Sequence, residues 1–332
     1  MKLAFAGTGY INQIHACAAQ NLGLELEAVV NHKPDSMIEF SRQFGIARQY
    51  ADVEGLLKDG KIEILVIGTP NYLHKSQTIT ALKAGVHVML EKPMAMNAQE
   101  AEQICEVAEK SDAHLMVAHC WRFDPEVLWL KVRSSKLGTI IRTKGIGAHT
   151  NWGPGGWFAQ KELAGGGAMA DMGIHALDTA RFLLGDPKPV AVYAKIGTYY
   201  KDLEVDDTGL IIVEWDNGAL SYFESGWWQP HADGPEAATQ LYGTLGFGQV
   251  FPTRLEIPNR EEQKIDVIDP GFPFPRESQS PQSLYDAQLK YFVECIERNQ
   301  TPNPGGLEGW VNMKVIDAAY QSSQTREVVK IK

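Results

Sequence analysis

The chain has 332 residues and a formal charge of −10, with 22 % charged and 44 % hydrophobic residues. At roughly 100–200 residues per domain, this is a globular composition for about two domains, large enough to bury a core without disulfide or metal staples. The acidic balance, with no Lys/Arg-rich run, argues against a nucleic-acid partner, because neutralising phosphates needs a basic surface. No stretch approaches the roughly 20 apolar residues of a membrane span, so no membrane partner is expected. The start, Met1-Lys2-Leu3-Ala4-Phe5-Ala6-Gly7, reads as a strand entering a glycine turn and not as a signal peptide. Cys17, Cys105, Cys120 and Cys295 form no C-x-x-C pair and no zinc-site spacing. They fit a reducing compartment, and a cytoplasmic protein is expected. No metal site is expected, since His149 and His231 stand isolated.

The first 120 residues alternate two periods. Strands are expected over 2–6, 24–31, 62–67, 86–90 and 115–118, and helices over 10–21, 35–44, 53–58, 73–84 and 98–110. Alternation of this kind implies a parallel sheet covered on both faces. After Trp121 the pattern changes. A helix over 124–135 and a long strand over 139–150 lead into a Gly/Pro-rich loop, Trp152-Gly153-Pro154-Gly155-Gly156-Trp157. Gly165-Gly166-Gly167 then opens a helix over 168–184. Strands follow in series over 190–199, 207–216, 219–228, 238–243, 248–257 and 264–268, with Asp216-Asn217-Gly218 as a hairpin turn. A Pro-rich loop over 270–281 precedes two helices over 283–298 and 307–324. The fold class is therefore α/β with a doubly wound parallel sheet, followed by an α+β domain with a large, mostly antiparallel sheet. The expected domains are 1–120 and 121–332.

Gly7-x-Gly9-x-x-Asn12 sits directly after a strand and opens a helix, the context that the dinucleotide fingerprint of a Rossmann fold requires. Gly7 would allow the tight turn, and Gly9 would let the backbone approach a pyrophosphate at the helix N-terminus. Tyr10 and Ile11, which follow, join them as cofactor-binding candidates. The third fingerprint position is Asn12 instead of Gly or Ala. The ribose reader should lie about 20 residues on. There the sequence is Asn31-His32-Lys33, with no carboxylate to hold a 2′-hydroxyl. An acidic residue would repel a 2′-phosphate, whereas Asn31 with Lys33 and His32 tolerates one. NADP(H) is slightly favoured, and NAD(H) is the alternative.

Three further segments follow strands or open a helix: Thr69-Pro70-Asn71-x-x-His74, Glu91-Lys92-Pro93 and Asp171-x-Gly173-x-His175. With Gly7-x-Gly9 and the parallel-then-antiparallel layout, the chain resembles, over essentially its whole length, the glucose–fructose oxidoreductase / inositol dehydrogenase / rhizopine-catabolism (Gfo/Idh/MocA) family. The residues make chemical sense on their own. Asp171 and His175 are four apart, on one face of a helix. A carboxylate beside an imidazole fixes its tautomer and suits a base that removes a hydroxyl proton while hydride leaves the same carbon. Lys92 lies at the carboxyl end of a strand, where ligands of open α/β sheets bind, and its ammonium could stabilise a developing alkoxide. The resemblance implies that Lys92 and His175 are catalytic, with Asp171 in support. It places Thr69, Pro70, Asn71 and His74 around the nicotinamide half of the cofactor and Glu91 near its ribose. It makes a cis bond before Pro93 plausible, and it puts Arg122, with Trp121, near cofactor or substrate.

His149, Asn151, Trp152 and Trp157 flank the glycine-rich loop. With Lys92, Asp171 and His175 they are the substrate-binding candidates, because polar groups interleaved with flat rings suit a carbohydrate. Trp227 and Trp228 are adjacent in a strand, so at most one should point at the site. The expected function is hydride transfer between nicotinamide and a carbon of a sugar, cyclitol or related polyol. The resemblance leaves open a redox-neutral, NAD-dependent glycosidase. It also contains a non-catalytic regulatory relative, against which the intact Lys92, Asp171 and His175 argue. A homodimer or homotetramer joined through the free face of the antiparallel sheet is implied by the resemblance alone.

Overall fold

The computed structural model describes residues 1–230 and 236–331; His231 lies outside the described residues. In chain order the first strands and helices are β1 (Lys2–Ala6), α1 (Tyr10–Asn21), β2 (Glu25–Val30), α2 (Pro34–Phe44), β3 (Arg48–Tyr50), α3 (Val53–Lys58), β4 (Ile64–Ile67), α4 (His74–Lys83), β5 (His87–Leu90), α5 (Ala98–Ala108) and β6 (Leu115–Val117). The six strands pair in parallel in the order β3-β2-β1-β4-β5-β6. This is the doubly wound order whose direction reverses between β1 and β4, the switch point at which such sheets take ligands. β4 is buried at every residue, as a strand covered on both faces must be. The short β3 was not legible in the sequence, for it carries no apolar residue but Tyr50.

The chain continues through α6 (Pro125–Arg133), β7 (Ile140–Thr150), α7 (Lys161–Ala164), α8 (Ile174–Leu184), β8 (Pro189–Gly197), β9 (Thr208–Trp215), β10 (Leu220–Gln229), β11 (Ala237–Gly243), β12 (Phe247–Val250), β13 (Arg254–Asn259) and β14 (Lys264–Ile268). It ends with α9 (Gln282–Glu297), α10 (Gly306–Thr325) and β15 (Val329–Lys330). A nine-stranded sheet runs β14-β13-β12-β11-β7-β10-β9-β8-β15. Two antiparallel meanders flank β7, which pairs in parallel with β10. The hairpin at Asp216-Asn217-Gly218 forms between β9 and β10, with Gly218 at φ +83°. The single strand expected over 248–257 is broken, because Phe251 takes φ +63° and divides it into β12 and β13.

The domain division differs from the expected 1–120 and 121–332. One compact unit comprises residues 1–120 and 280–313; the other comprises 121–279 and 314–332. The physical reason lies in α9, whose buried Leu284, Tyr285, Leu289 and Phe292 need an apolar partner. It finds one in the first unit against α1, where Gln282 Nε2 donates to the carbonyl of Ile14 and Asn21 Nδ2 donates to Asp286.

In the second unit α8 is buried almost all round, a property of a helix enclosed in a core. It packs against β7, where Gly145 and Gly147 allow the close approach. A Cβ at 147 would overlap the carbonyl oxygen of Met172, a backbone atom that cannot swing aside. Gly147→Ala is therefore expected to lower unfolding free energy by about 1–3 kcal/mol through overpacking. An unchanged urea midpoint would show that the helix and strand are not in contact there.

Candidate active site

The turn after β1 is built for close backbone approach. Gly7 has φ +95°, and a Cβ there would lie 2.7 Å from the carbonyl oxygen of Gly68. Gly9 caps α1 without a side chain, there is no acidic residue in the first helical turn, and a Cβ on Gly9 would enter open space. The first N–H groups of a helix lack intrahelical partners and sit at its positive end, where an anion is favoured. A cradle of this kind fits the pyrophosphate of a nicotinamide dinucleotide. Tyr10 is 79 % exposed beside it, while Ile11 packs toward Gly68. The unexpected Asn12 takes over the packing role of a third glycine in another way. Fully buried, its Nδ2 donates to the carbonyls of Ala6 (2.7 Å) and Gly7 (2.9 Å), tying helix to turn.

At the end of β2, Asn31 Nδ2 donates to Thr8 Oγ1 and Ser36 Oγ, and its Oδ1 accepts from the N–H of Lys33. His32 and Lys33 are exposed, with Lys33 preceding α2. No carboxylate stands at residues 31–33.

The loops after β4 and β5 are stapled together by His74. Its Nδ1 lies 2.9 Å from the carbonyl oxygen of Pro93 and its Nε2 lies 2.9 Å from that of Thr69. Full burial pulls its pKa below the ordinary histidine value, outweighing the two carbonyls that favour the cation. Thr69 Oγ1 also donates to Gln77 on α4, and Asn71 is buried in the same loop. The peptide bond between Lys92 and Pro93 is cis. Glu91, expected near a ribose, is itself engaged: Oε1 lies 2.7 Å from His15 Nε2, and Oε2 accepts the backbone N–H of Lys92 (3.1 Å). The His15 ring meets Tyr285 of α9 edge-on, with centroids 5.6 Å apart. His15, Tyr285 and the Asn12 ties escaped the sequence reading; only the spacing of His15 along α1 from the glycine turn hinted at a role. Lys92 is half-buried at the end of β5.

In the second unit, the helix expected over 168–184 begins as a π turn over Met169–Gly173, which contains Asp171, and becomes regular at α8, which carries His175. Isolated π turns inside helices recur at functional sites. The His175 ring stacks on Trp121, with centroids 4.9 Å apart and planes 26° apart. Asp171 Oδ2 accepts from Trp227 Nε1 at 3.1 Å. Arg122, expected near cofactor or substrate, is buried in a fork of carboxylates. It donates to Asp178 (2.8 and 2.7 Å) and Asp186 (3.2 and 2.8 Å), and their charge outweighs burial in holding its proton.

Strand alternation is interrupted at Trp227 and Trp228. β10 shifts register after Gly226, and Trp228 takes φ +51°, so both indoles pack on one cluster with Ala168, Met172 and Val205. A bulge re-aims side chains in this way. The Trp228 N–H donates to the carbonyl of Trp152, which stacks on His149 at 3.6 Å and is 51 % exposed. Asn151 is exposed at φ +61°, and Trp157 stacks on Phe158. The structure thus links His149, Trp152, Trp228, Trp227 and Asp171 in one chain of contacts that runs from the exposed Trp152 ring to the buried Trp227 indole on the Asp171 carboxylate. Among the described residues, no group of three His, Cys, Asp or Glu side chains is placed to hold a metal ion. No helix there is long and apolar enough to cross a membrane.

A dinucleotide cradle on a doubly wound sheet, followed by a sheet domain with an acid–imidazole helix, defines an oxidoreductase. The model of an oxidoreductase family with an NAD-binding Rossmann fold matches residues 1–119, and the GFO/IDH/MocA C-terminal domain matches residues 131–247. The chain belongs to the Gfo/Idh/MocA family. It is 26 % identical to a D-glucoside 3-dehydrogenase of Escherichia coli (strain K12), covering 100 % of this chain and 97 % of that one. It is 28 % identical to a D-xylose 1-dehydrogenase (NADP(+)) of Haloferax volcanii, covering 99 % and 98 %. The fold matches levoglucosan dehydrogenase in complex with NADH and L-sorbose with a TM-score of 0.89, at 22 % identity over 100 % of this chain and 99 % of that one.

The buried His74 gives a pH prediction. An unfolded chain takes up a proton near the ordinary histidine pKa of 6.5, which the folded ring resists, so His74 stabilises the fold above that pH and ceases to do so as pH falls through it. His74→Phe should cost about 1–3 kcal/mol at pH 7.5, by leaving a buried carbonyl without its donor. The gap between wild type and variant, from urea midpoints, should narrow toward pH 5. A constant gap would mean that the ring is not held neutral.

Proposed function

We propose that the protein transfers hydride between a carbinol carbon of a sugar, cyclitol or related polyol and a nicotinamide cofactor. The observation that carries this reading is the helix start bearing Asp171 and His175, with the Trp227 indole on the Asp171 carboxylate and the Trp121 ring stacked on His175. The turn of Gly7 and Gly9 and the loops of Thr69, Pro70, Asn71, Glu91 and Pro93 would hold the dinucleotide, which when bound would supply the hydride acceptor. In the oxidative direction His175 takes the hydroxyl proton, and the imidazolium so formed lies on the face of Trp121, which attracts a cation. Asp171, steadied by the Trp227 indole, orients the proton transfer. The Lys92 ammonium stabilises negative charge developing on the substrate oxygen. His149, Asn151, Trp152 and Trp157 contact the remaining hydroxyls and CH faces.

NADP(H) is favoured over NAD(H), on the missing carboxylate at residues 31–33 and on the exposed Lys33. No disulfide joins the four cysteines, which fits the cytosol.

The protein acts as a homo-oligomer joined through the face of the nine-stranded sheet opposite α8. That face carries Leu210, Leu220 and Tyr193, each more than a third exposed, beside Ile212 and Tyr222. Apolar side chains arrayed on a flat sheet favour association. Sedimentation should give a multiple of 36.8 kDa, and Leu220→Arg should reduce it toward the monomer. A monomeric wild type would overturn this assembly.

Reduction of NADP⁺ and NAD⁺ should be followed with a panel of sugars, cyclitols and glycosides. Signal should appear with wild type and vanish with Lys92→Ala. His175→Asn should lower kcat by roughly 10²–10⁴-fold, the usual range for losing a general base, with little change in cofactor affinity. Equal loss of both would remove His175 from the acid–base role. Glycoside cleavage without net cofactor reduction would replace the dehydrogenase by the redox-neutral glycosidase.

A further inference from the structure

The π turn that carries Asp171 begins at a convergence of three consecutive peptide N–H groups on one residue. Asp206, in the connection from β8 to β9, is only 6 % exposed. Its Oδ1 accepts from the Gly167 N–H (2.8 Å), its Oδ2 from the Met169 N–H (2.8 Å), and its main-chain carbonyl from the Ala168 N–H (2.9 Å). Tyr320 of α10 donates its hydroxyl to the same Oδ1 at 2.7 Å. Such donors and the helix dipole favour the carboxylate, though burial outweighs them and raises the Asp206 pKa above the ordinary carboxylate value. The glycine triplet follows from this contact. A Cβ on Gly167 would overlap the Asp206 backbone, and one on Gly166 would overlap the Tyr320 hydroxyl.

The next residue extends the same anchor. The Asp207 carboxylate accepts the N–H groups of Tyr199, Tyr200 and Lys201, and its carbonyl accepts the Trp227 N–H at 2.8 Å. Trp227 in turn donates its indole N–H to Asp171. Asp171 is therefore held along two routes that meet at adjacent residues: through its backbone by Asp206, and through its carboxylate by Trp227 on Asp207.

We propose that Asp206 and Tyr320 form a clasp that positions the π turn, and that they are positioning residues for Asp171 and His175. The catalytic part of this inference rests on the reading of Asp171 and His175 given above; the geometric part does not. In Asp206→Asn the amide NH₂ would confront a peptide N–H that now meets a carboxylate oxygen, leaving one buried donor unpaired. Tyr320→Phe removes a single hydroxyl and is the milder change.

Two readouts decide it. The first is the ¹⁵N-indole resonance of Trp227, assigned with Trp227→Phe, in Asp206→Asn and in Tyr320→Phe. In either variant it should move toward its position in Asp171→Ala. An unmoved resonance in both variants, if folded, overturns the clasp whether or not any substrate is known. The second is steady-state kinetics. Since a misplacement of about 1 Å can cost about 10²-fold, Tyr320→Phe should lose several-fold and Asp206→Asn up to about 10²-fold in kcat, with KM for the cofactor unchanged. Loss of thermal stability with kcat intact would overturn the positioning role and leave a purely structural one. If wild type shows no turnover with any substrate, the dehydrogenase reading falls, and the clasp is judged on the indole resonance alone.

Discussion

A peptide N–H buried without an acceptor is expensive, and this constraint is met differently at two helix starts, one in each unit. At α1 the chain leaves the start open: Gly9 has no side chain to offer, no acid stands in the first turn, and Asn12 spends its amide on carbonyls behind the turn. At the π turn the chain closes the start with its own carboxylate, Asp206. The first arrangement leaves room for a ligand's negative charge; the second is filled by an acid of the chain itself. Glycines precede both starts, and the difference lies in whether an acid from elsewhere in the fold reaches the N–H groups.

Buried charge elsewhere follows the same rule of complete pairing. Arg122 is enclosed by two carboxylates and the ring of Phe182, and Glu91 is shared by His15 and the backbone of Lys92. Breaking such a pair costs more than the pair contributes, because the surviving charge stays buried. Residues flagged for contact with a cofactor or substrate thus also carry structural ties. Lys92 is reached through Glu91, and the loop of Thr69 is reached through His74.

The alternation of periods made the parallel sheet legible, and the series of short strands with an Asp-Asn-Gly turn made the second sheet legible. Both describe local pattern, which sequence carries directly. The return of α9 to the first unit was not legible, since an amphipathic helix shows that it needs a partner without showing which. The π turn was hidden because Met169-Ala170-Asp171-Met172-Gly173 has ordinary helical composition, and its contact with Asp206 comes from a residue far along the chain. The register shift at Trp228 was not legible, because a bulge leaves no sign in the alternation it interrupts. Asp206 and Tyr320 drew no notice for the same reason: each is one acid or phenol among many until the fold brings them together.

The end of β2 carries a consequence for the history of the enzyme. Asn31 is surrounded by two hydroxyls, Thr8 and Ser36, and a peptide N–H. Hydroxyls can turn from acceptor to donor, so the same pocket would receive a carboxylate at this position with its partners already present. Asparagine and aspartate codons differ by a single base. An aspartate at position 31 would therefore find its donors in place, whereas Asp206, whose carboxylate already receives two peptide N–H groups and a phenol, has no substitute that would serve the same three donors.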